Sequence, residues 1–200
     1  MDKTTQTLAQ IRCIPMAKSY AKEAGPELAK ALRASSVGAV NVSVQQKDGF
    51  ALLRYLAMQG DILAGAGNVQ TYEQAIQALD NGAAFIFSPC FDEQMIGLCQ
   101  SRSVPIFPVT TQASLAKQWN LEVLGCYPVE ELGGLAFIDR MAQEGGFSFF
   151  VAGHIEESMM GHYLSNSHVL GMTGSWMLRD GQDWEKVTEA LRRARTYSNV

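Results

Sequence analysis

The sequence is poor in charge, since only 18% of its 200 residues are Asp, Glu, Lys or Arg and the formal net charge is -4. A chain this weakly acidic has no bulk electrostatic attraction to nucleic acid or to an anionic membrane. It also has no run of about 18 apolar residues that could cross a bilayer. With 47% apolar residues it can fill a sizeable core. We therefore expect a folded protein whose partner is a small molecule or another copy of the chain.

Closely spaced cysteines and a secretion signal are also lacking. The four cysteines form no CxxC pair; they are Cys13, Cys90, Cys99 and Cys126. Such isolated residues are typical of reduced thiols rather than of a disulfide framework or a zinc site. The first residues, MDKTTQTLAQIRC, have neither the basic nor the apolar region of a signal peptide. These features predict a cytoplasmic protein.

Metal and nucleotide motifs are missing as well. The three histidines show no HExxH or other close ligand spacing; they are His154, His162 and His168. The run GAGNVQ lacks the third glycine of a dinucleotide fingerprint, and no GxxxxGK[ST] run occurs. The sequence therefore predicts no metal and no cofactor.

What the sequence does contain is a regular alternation of short apolar runs with stretches of helical periodicity. After a predicted helix near Lys3 to Gln10, the predicted strands are Cys13–Ala17, Ala39–Gln45, Ile62–Gly65, Ala83–Ser88, Val104–Val109, Glu122–Cys126, Phe147–Ala152 and Val169–Thr173. Eight strand and helix units without a spare linker favour one α/β domain over residues 1–200, a parallel (β/α)8 TIM barrel with an extra N-terminal helix. A doubly wound sheet remains the alternative.

The second predicted strand helps to choose between these folds. Three valines alternate there with polar residues, in the run AVNVSVQ. A strand buried on both faces of a doubly wound sheet should be apolar throughout. In a barrel the valines can face the helices, while Asn41 and Gln45 line the interior near the mouth where barrel enzymes keep their sites. A strand at the edge of a sheet, with one face exposed to solvent, would show the same alternation.

Small-residue clusters stand near four predicted strand ends. They are Gly65 to Asn68, Ser88 to Cys90, Val151 to His154 and Thr173 to Ser175. Glycine there lets backbone N–H groups approach a ligand, and the turns after strands seven and eight commonly bind phosphate in barrels. An ordinary tight turn explains each cluster equally well. His154, after Gly153 at a strand-to-helix junction, is a candidate anion contact or a solvent-facing cap.

Six runs in order resemble those of the 2-keto-3-deoxy-6-phosphogluconate (KDPG) / 4-hydroxy-2-oxoglutarate (KHG) aldolase family. They are GAGNV, FIFSPC, VPIFPVTTQAS, LEVLGCYPVEELGG, FFVAGHI and GMTGSWML, within about residues 10–178. The resemblance implies a trimeric (β/α)8 barrel that performs class I aldol cleavage, in which a lysine amine attacks a keto group and a carboxylate moves protons. The family positions that this chain retains are Gly65, Gly67, Ser88, Pro89, Pro105, Pro108, Pro128, Glu130, Gly153, Gly174, Ser175 and Trp176.

The same resemblance implies that the charged catalytic positions have changed. By register, the Schiff-base lysine falls on Gly125, the glutamate acid/base on Asn41 and the carboxylate-binding arginine on Gln45. A family threonine becomes Asn68, and the phosphate loop carries His154 in place of a glycine. Glycine has no nucleophile and asparagine accepts no proton near neutral pH. The chain is thus identified as a divergent member in which the family mechanism is not expected.

Two functions follow as hypotheses. The first is an altered lyase whose nucleophile has moved to Lys47 or Lys18, the two of seven lysines near predicted strand ends. The second is a binding or regulatory protein without catalysis, because the predicted pocket is neutral. Its ligand contacts would be Asn41, Gln45, Asn68, Ser88 and Pro89, with an anion at Gly153, His154, Gly174 and Ser175. Such a pocket favours a small neutral or singly charged ligand over a keto acid phosphate.

Overall fold

The computed structural model describes residues 1–199 and contains a parallel barrel of eight strands. The strands are β1 (Cys13–Ala17), β2 (Ala39–Ser43), β3 (Leu63–Gly67), β4 (Ile86–Ser88), β5 (Ile106–Pro108), β6 (Val123–Cys126), β7 (Ser148–Val151) and β8 (Val169–Gly174). The predicted barrel is confirmed, and the doubly wound alternative is wrong. Five of the predicted strands extend one to three residues beyond the observed bounds, β1 matches, and β3 and β8 reach one or two residues further toward their carboxyl ends. Apolar runs continue into the flanking turns, so hydrophobicity alone does not mark where pairing stops.

The helices follow the strands in alternation. They are α1 (Lys3–Ile11), α2 (Gly25–Ala34), α3 (Gly49–Ala57), α4 (Tyr72–Asp80), α5 (Glu93–Ser101), α6 (Ala113–Gln118), α7 (Val129–Leu132), α8 (Gly134–Gly145), α9 (Met160–Leu164) and α10 (Trp184–Thr196). Several begin at a side-chain cap, as where Thr71 accepts a hydrogen bond from the Gln74 N–H. Asp92 caps α5 in the same way. Such caps satisfy N–H groups that the first helical turn leaves free, so each helix starts close to its strand.

The strands are ordered β5-β4-β3-β2-β1-β8-β7-β6. The two end strands, β5 and β6, pack against each other and complete the barrel. Closure is tight at Gly125 of β6, where a Cβ would lie 2.9 Å from the Phe107 carbonyl oxygen of β5. Asn41 of β2 pairs in register with Met16 of β1 and with Gly65 of β3. Residues paired in register point to the same side of the sheet, so Met16 and Asn41 both face the interior of the barrel.

Two apolar cores result from strand alternation. Val40, Val42 and Val44 belong to the outer core between the strands and the helices, as predicted. The inner core fills the amino-terminal half of the barrel and consists of Leu8, Ile14, Ala39, Phe85, Phe87, Phe107, Val123 and Phe150. Leu8 comes from α1, so the extra N-terminal helix closes the bottom of the barrel. The carboxyl-terminal end of the barrel is left open for a site.

Candidate functional site

A cavity of about 470 Å³ opens at the carboxyl ends of the strands. Residues at or just beyond the ends of all eight strands contribute to its lining, from Lys18 after β1 to Gly174 at the end of β8. This is the position at which (β/α)8 barrels hold their ligands.

Three aromatic rings line the deep end of the cavity. Phe107 lies 5.0 Å from Phe87 and 4.8 Å from Phe150 between ring centroids, and the Phe87 and Phe150 rings meet edge to face at 5.7 Å. All three side chains belong to the inner core. The rings therefore form a continuous apolar floor that joins the cavity to the core below.

Asn41 lies above this floor and is 1% exposed. Its Nδ2 donates a hydrogen bond to the Thr173 Oγ1 at 3.1 Å, across the end of β1. Its Oδ1 has no hydrogen-bond partner within residues 1–199. The amide packs against the backbone of Gly67, where a Cβ would overlap it. The predicted inward position of Asn41 is thus found, and the second glycine of GAGN is needed to make room for it.

Gly125 also lines the cavity, as its register predicts. A Cβ at this position would approach both the Phe107 carbonyl and, at 3.3 Å, the Val109 Cγ2. Strand β5 therefore lies close to the bare glycine backbone and occupies part of the space that a side chain at residue 125 would need.

Gln45 is not in the cavity, which corrects the prediction that it lines the interior. Strand β2 ends at Ser43, and Gln45 lies exposed in the loop that follows. Its Nε2 donates to the Asn68 carbonyl at 2.8 Å and to the Gln74 Oε1 at 3.0 Å. Once the strand has ended, alternation no longer sets side-chain direction, and these two acceptors hold the amide outside.

Of the two candidate lysines, only Lys18 lines the cavity. Its side chain is exposed at the rim, and no carboxylate within residues 1–199 forms an ion pair with it. Lys47 is exposed on the loop after β2 and is not among the lining residues. The position of Lys47 therefore does not support the prediction that it is a relocated nucleophile.

The remaining predicted ligand contacts lie around the cavity wall. Asn68 adopts a left-handed backbone (φ 56°) directly after β3, so GAGN lies largely within a strand rather than in a turn. Ser88 and Pro89 line the wall at the end of β4. The Ser88 hydroxyl already donates to the Cys90 carbonyl at 3.0 Å, which commits its proton to the local turn.

The predicted anion contacts are brought together at one side of the mouth. Gly153 and His154 both have positive φ, 102° and 52°, in the loop after β7, and they line the cavity with Gly174, the last residue of β8, and with Ser175. A Cβ on Gly153 would lie 2.7 Å from the Pro128 Cα, so glycine is required there both by φ and by space. His154 is exposed beside them.

Sequence reasoning missed several rim residues. Arg179 donates to the Glu156 carboxylate at 2.5 and 2.6 Å, and both side chains line the cavity. The sequence does not reveal this ion pair, because its two residues lie on different loops. Ser43 was also missed as a lining residue, although strand alternation from Asn41 indicates its position. Thr173, the first residue of the cluster Thr173 to Ser175, lines the cavity as well.

Tyr20 fixes the rim between the first and last loops. Its hydroxyl donates to the Leu178 and Gly181 carbonyls, with oxygen distances of 2.8 and 3.0 Å. Burial raises the pKa of this hydroxyl to about 12 from an ordinary 10.0, and the negative charge of Asp180 adds to the shift.

Tyr20→Phe should destabilise the protein by about 1 kcal/mol near neutral pH, because two carbonyls lose a donor. The folded state holds the Tyr20 proton more tightly than the unfolded state does, so its contribution is complete below pH 10 and is lost between pH 10 and about 12. Denaturant unfolding from pH 7 to 12 should therefore show a smaller alkaline loss in the variant. The buried cysteine thiols also have raised pKa values, but they are present in both proteins. Their contribution to the alkaline loss of stability therefore cancels when the two proteins are compared. Parallel curves for the two proteins would contradict the assignment.

All four cysteines are free, as expected from their spacing. In residues 1–199 no group of three or more His, Cys, Asp or Glu side chains is arranged to hold a metal ion. No helix in the described part of the chain is both long and apolar enough to cross a membrane.

Comparison with known proteins identifies the scaffold. The model of the KDPG and KHG aldolase family matches residues 4–190. The 2-dehydro-3-deoxy-phosphogluconate aldolase of Treponema pallidum (strain Nichols) is 30% identical over 178 residues, which are 86% of this chain and 85% of that protein.

Solved structures agree with this assignment. A crystal structure of a 4-hydroxy-2-oxoglutarate/2-dehydro-3-deoxyphosphogluconate aldolase is 30% identical, with a TM-score of 0.87 and 98% of both chains covered. A KDPG aldolase from Legionella pneumophila, described with pyruvate captured as a covalent carbinolamine, shares the fold with a TM-score of 0.88 at 22% identity over 96% of this chain and 97% of that one. The barrel, its cavity at the strand ends and the match over most of the sequence establish that this chain belongs to the KDPG/KHG aldolase family.

Proposed function

We propose that this protein binds a small metabolite in its barrel cavity and does not cleave it through a Schiff base. The proposal depends on Gly125 of β6, which lines the cavity and has no side chain. A carbinolamine or iminium requires an amine next to the keto group. The family position that would supply this amine by sequence register has none in this chain.

The neighbouring groups support the same proposal. Asn41, in the position of the family acid/base, is an amide that donates to Thr173. An amide neither ionises nor accepts a proton near neutral pH, so general acid and base catalysis is not available from this side chain. Gln45, in the position of the carboxylate-binding arginine, is held outside the cavity by Asn68 and Gln74. By this register, the family positions of the lysine, the acid/base and the arginine all hold neutral residues in this chain.

The second candidate function is an altered lyase that uses Lys18. The specific observation in its favour is that the Lys18 side chain lines the cavity at the rim. Its exposed position argues against efficient catalysis, because an exposed amine lacks the desolvation that activates a nucleophilic lysine.

Borohydride trapping separates the two functions. The protein is incubated with pyruvate or KDPG, reduced with borohydride and analysed by mass spectrometry with peptide mapping. We expect no stoichiometric adduct at any lysine, together with thermal stabilisation by a metabolite that leaves no covalent mass. An adduct on Lys18, absent from the Lys18→Arg variant, would replace the binding function by the altered lyase. The matched control is Lys47→Arg, at an exposed lysine that does not line the cavity.

We also propose that the chain, as one domain over residues 1–200, assembles into a homotrimer, as the family resemblance implies. Sedimentation equilibrium should then give three times the chain mass. A monomer at micromolar concentration would contradict this proposal. Four free thiols, three of them buried, support a reducing compartment, and we propose the cytoplasm.

A further inference from the structure

The charges that line the cavity are confined to its mouth. Lys18, Glu156 and Arg179 all lie on loops beyond the strand ends. The deep end is formed by Phe87, Phe107 and Phe150 together with uncharged strand residues such as Met16 and Gly125. Among the described lining residues, none at the level of the strands is charged.

Hydrogen-bond donors at the deep end are few. The Asn41 Nδ2 uses one of its two N–H groups on Thr173, and the Ser88 proton is engaged by Cys90. The Thr173 oxygen accepts the Asn41 bond, so its own proton can still be donated to a ligand. A carboxylate needs a cation or several donors to offset the loss of water on burial, whereas a hydroxyl or ketone needs only one or two neutral partners.

We infer that the deep end of the cavity accepts an uncharged ligand end carrying hydroxyl or carbonyl groups, and that it excludes a carboxylate. Any charge on the ligand stays at the mouth, near Lys18. The inference rests on the proposed function, since it names the class of ligand that this cavity holds. A 2-keto acid does not belong to this class of ligand, because its carboxylate is bonded directly to the keto carbon and would enter the deep end with it.

Hydroxyacetone and pyruvate test the inference as a matched pair. Each has three carbons and a methyl ketone, and they differ in a hydroxymethyl group against a carboxylate. Both are titrated into the wild-type protein while the methionine ε-methyl signals are followed by NMR. Met16 lines the cavity, and Met58, which is 75% exposed, is not among the lining residues and serves as the control methyl.

Hydroxyacetone should shift the Met16 signal saturably, with an affinity at least about tenfold above that of pyruvate, and should leave Met58 unchanged. Thr173→Val should weaken hydroxyacetone binding several-fold and change pyruvate binding little, because it removes the hydroxyl and keeps the shape. Equal or tighter pyruvate binding would overturn the inference. A Met16 signal that responds to neither compound would overturn it as well.

The same samples distinguish failure of the inference from failure of the proposed function. After each titration the protein is reduced with borohydride and weighed by mass spectrometry. Reversible pyruvate binding without added mass would refute only the selection against a carboxylate. A covalent pyruvate adduct on Lys18 would refute the proposed function itself.

Discussion

Gly125→Lys is expected to lower the free energy of unfolding by about 1 to 3 kcal/mol and to leave the protein without KDPG cleavage. The stability loss follows from the Cβ, which would lie 2.9 Å from the Phe107 carbonyl and force β5 and β6 apart. On the proposed function no cleavage is expected, because the Asn41 amide accepts no proton and Gln45 lies outside the cavity. Chemical denaturation and a coupled assay for pyruvate release measure the two effects.

Gly125→Ala is the control for this prediction. It adds the same Cβ without an amine, so it should account for most of the stability loss. If Gly125→Ala is as stable as wild type while Gly125→Lys is not, the loss comes from burial of the amine rather than from the strand contact. Pyruvate release by Gly125→Lys above the wild-type background would show that the neutral residues around the cavity still support the family reaction.

Gly65→Ala is expected to destabilise the barrel by about 3 kcal/mol or to prevent folding. A Cβ on Gly65 would overlap the Phe85 ring, which is fully buried and packs edge to face with Phe87 at 5.5 Å between centroids. The ring has no free volume to move into, because interiors are close-packed. Thermal and denaturant unfolding of the purified variant measure the effect.

The matched rescue is Gly65→Ala combined with Phe85→Leu. The smaller side chain vacates the space that the new methyl needs, so the double variant should be more stable than the sum of the two single losses predicts. Gly60→Ala is the control for adding a methyl to glycine, since nothing lies within 4 Å of its Cβ position, although its φ of 78° brings some backbone strain. Strict additivity at residues 65 and 85 would show that the two do not share this space.

The order of the strands and helices could be predicted from the sequence, because apolar periodicity depends on which faces are buried. The alternation of valine with polar residues in β2 indicated both the barrel and the inward position of Asn41. The resemblance implied which charged positions had become neutral. These properties are set by the identity and spacing of neighbouring residues, which the printed sequence displays directly.

The geometry of the cavity depended on contacts between residues distant in the chain. Gln45 fits the inward pattern but lies outside, because β2 ends two residues earlier and acceptors from other segments hold its amide. Lys18 and Lys47 look equivalent beside their strands, yet only Lys18 lines the cavity. The local sequence pattern determined the barrel fold and the residues at its neutral positions. Tertiary contacts decided where the strands end, how close β5 lies to Gly125 and that Arg179 pairs with Glu156, because the residues involved are far apart in the sequence.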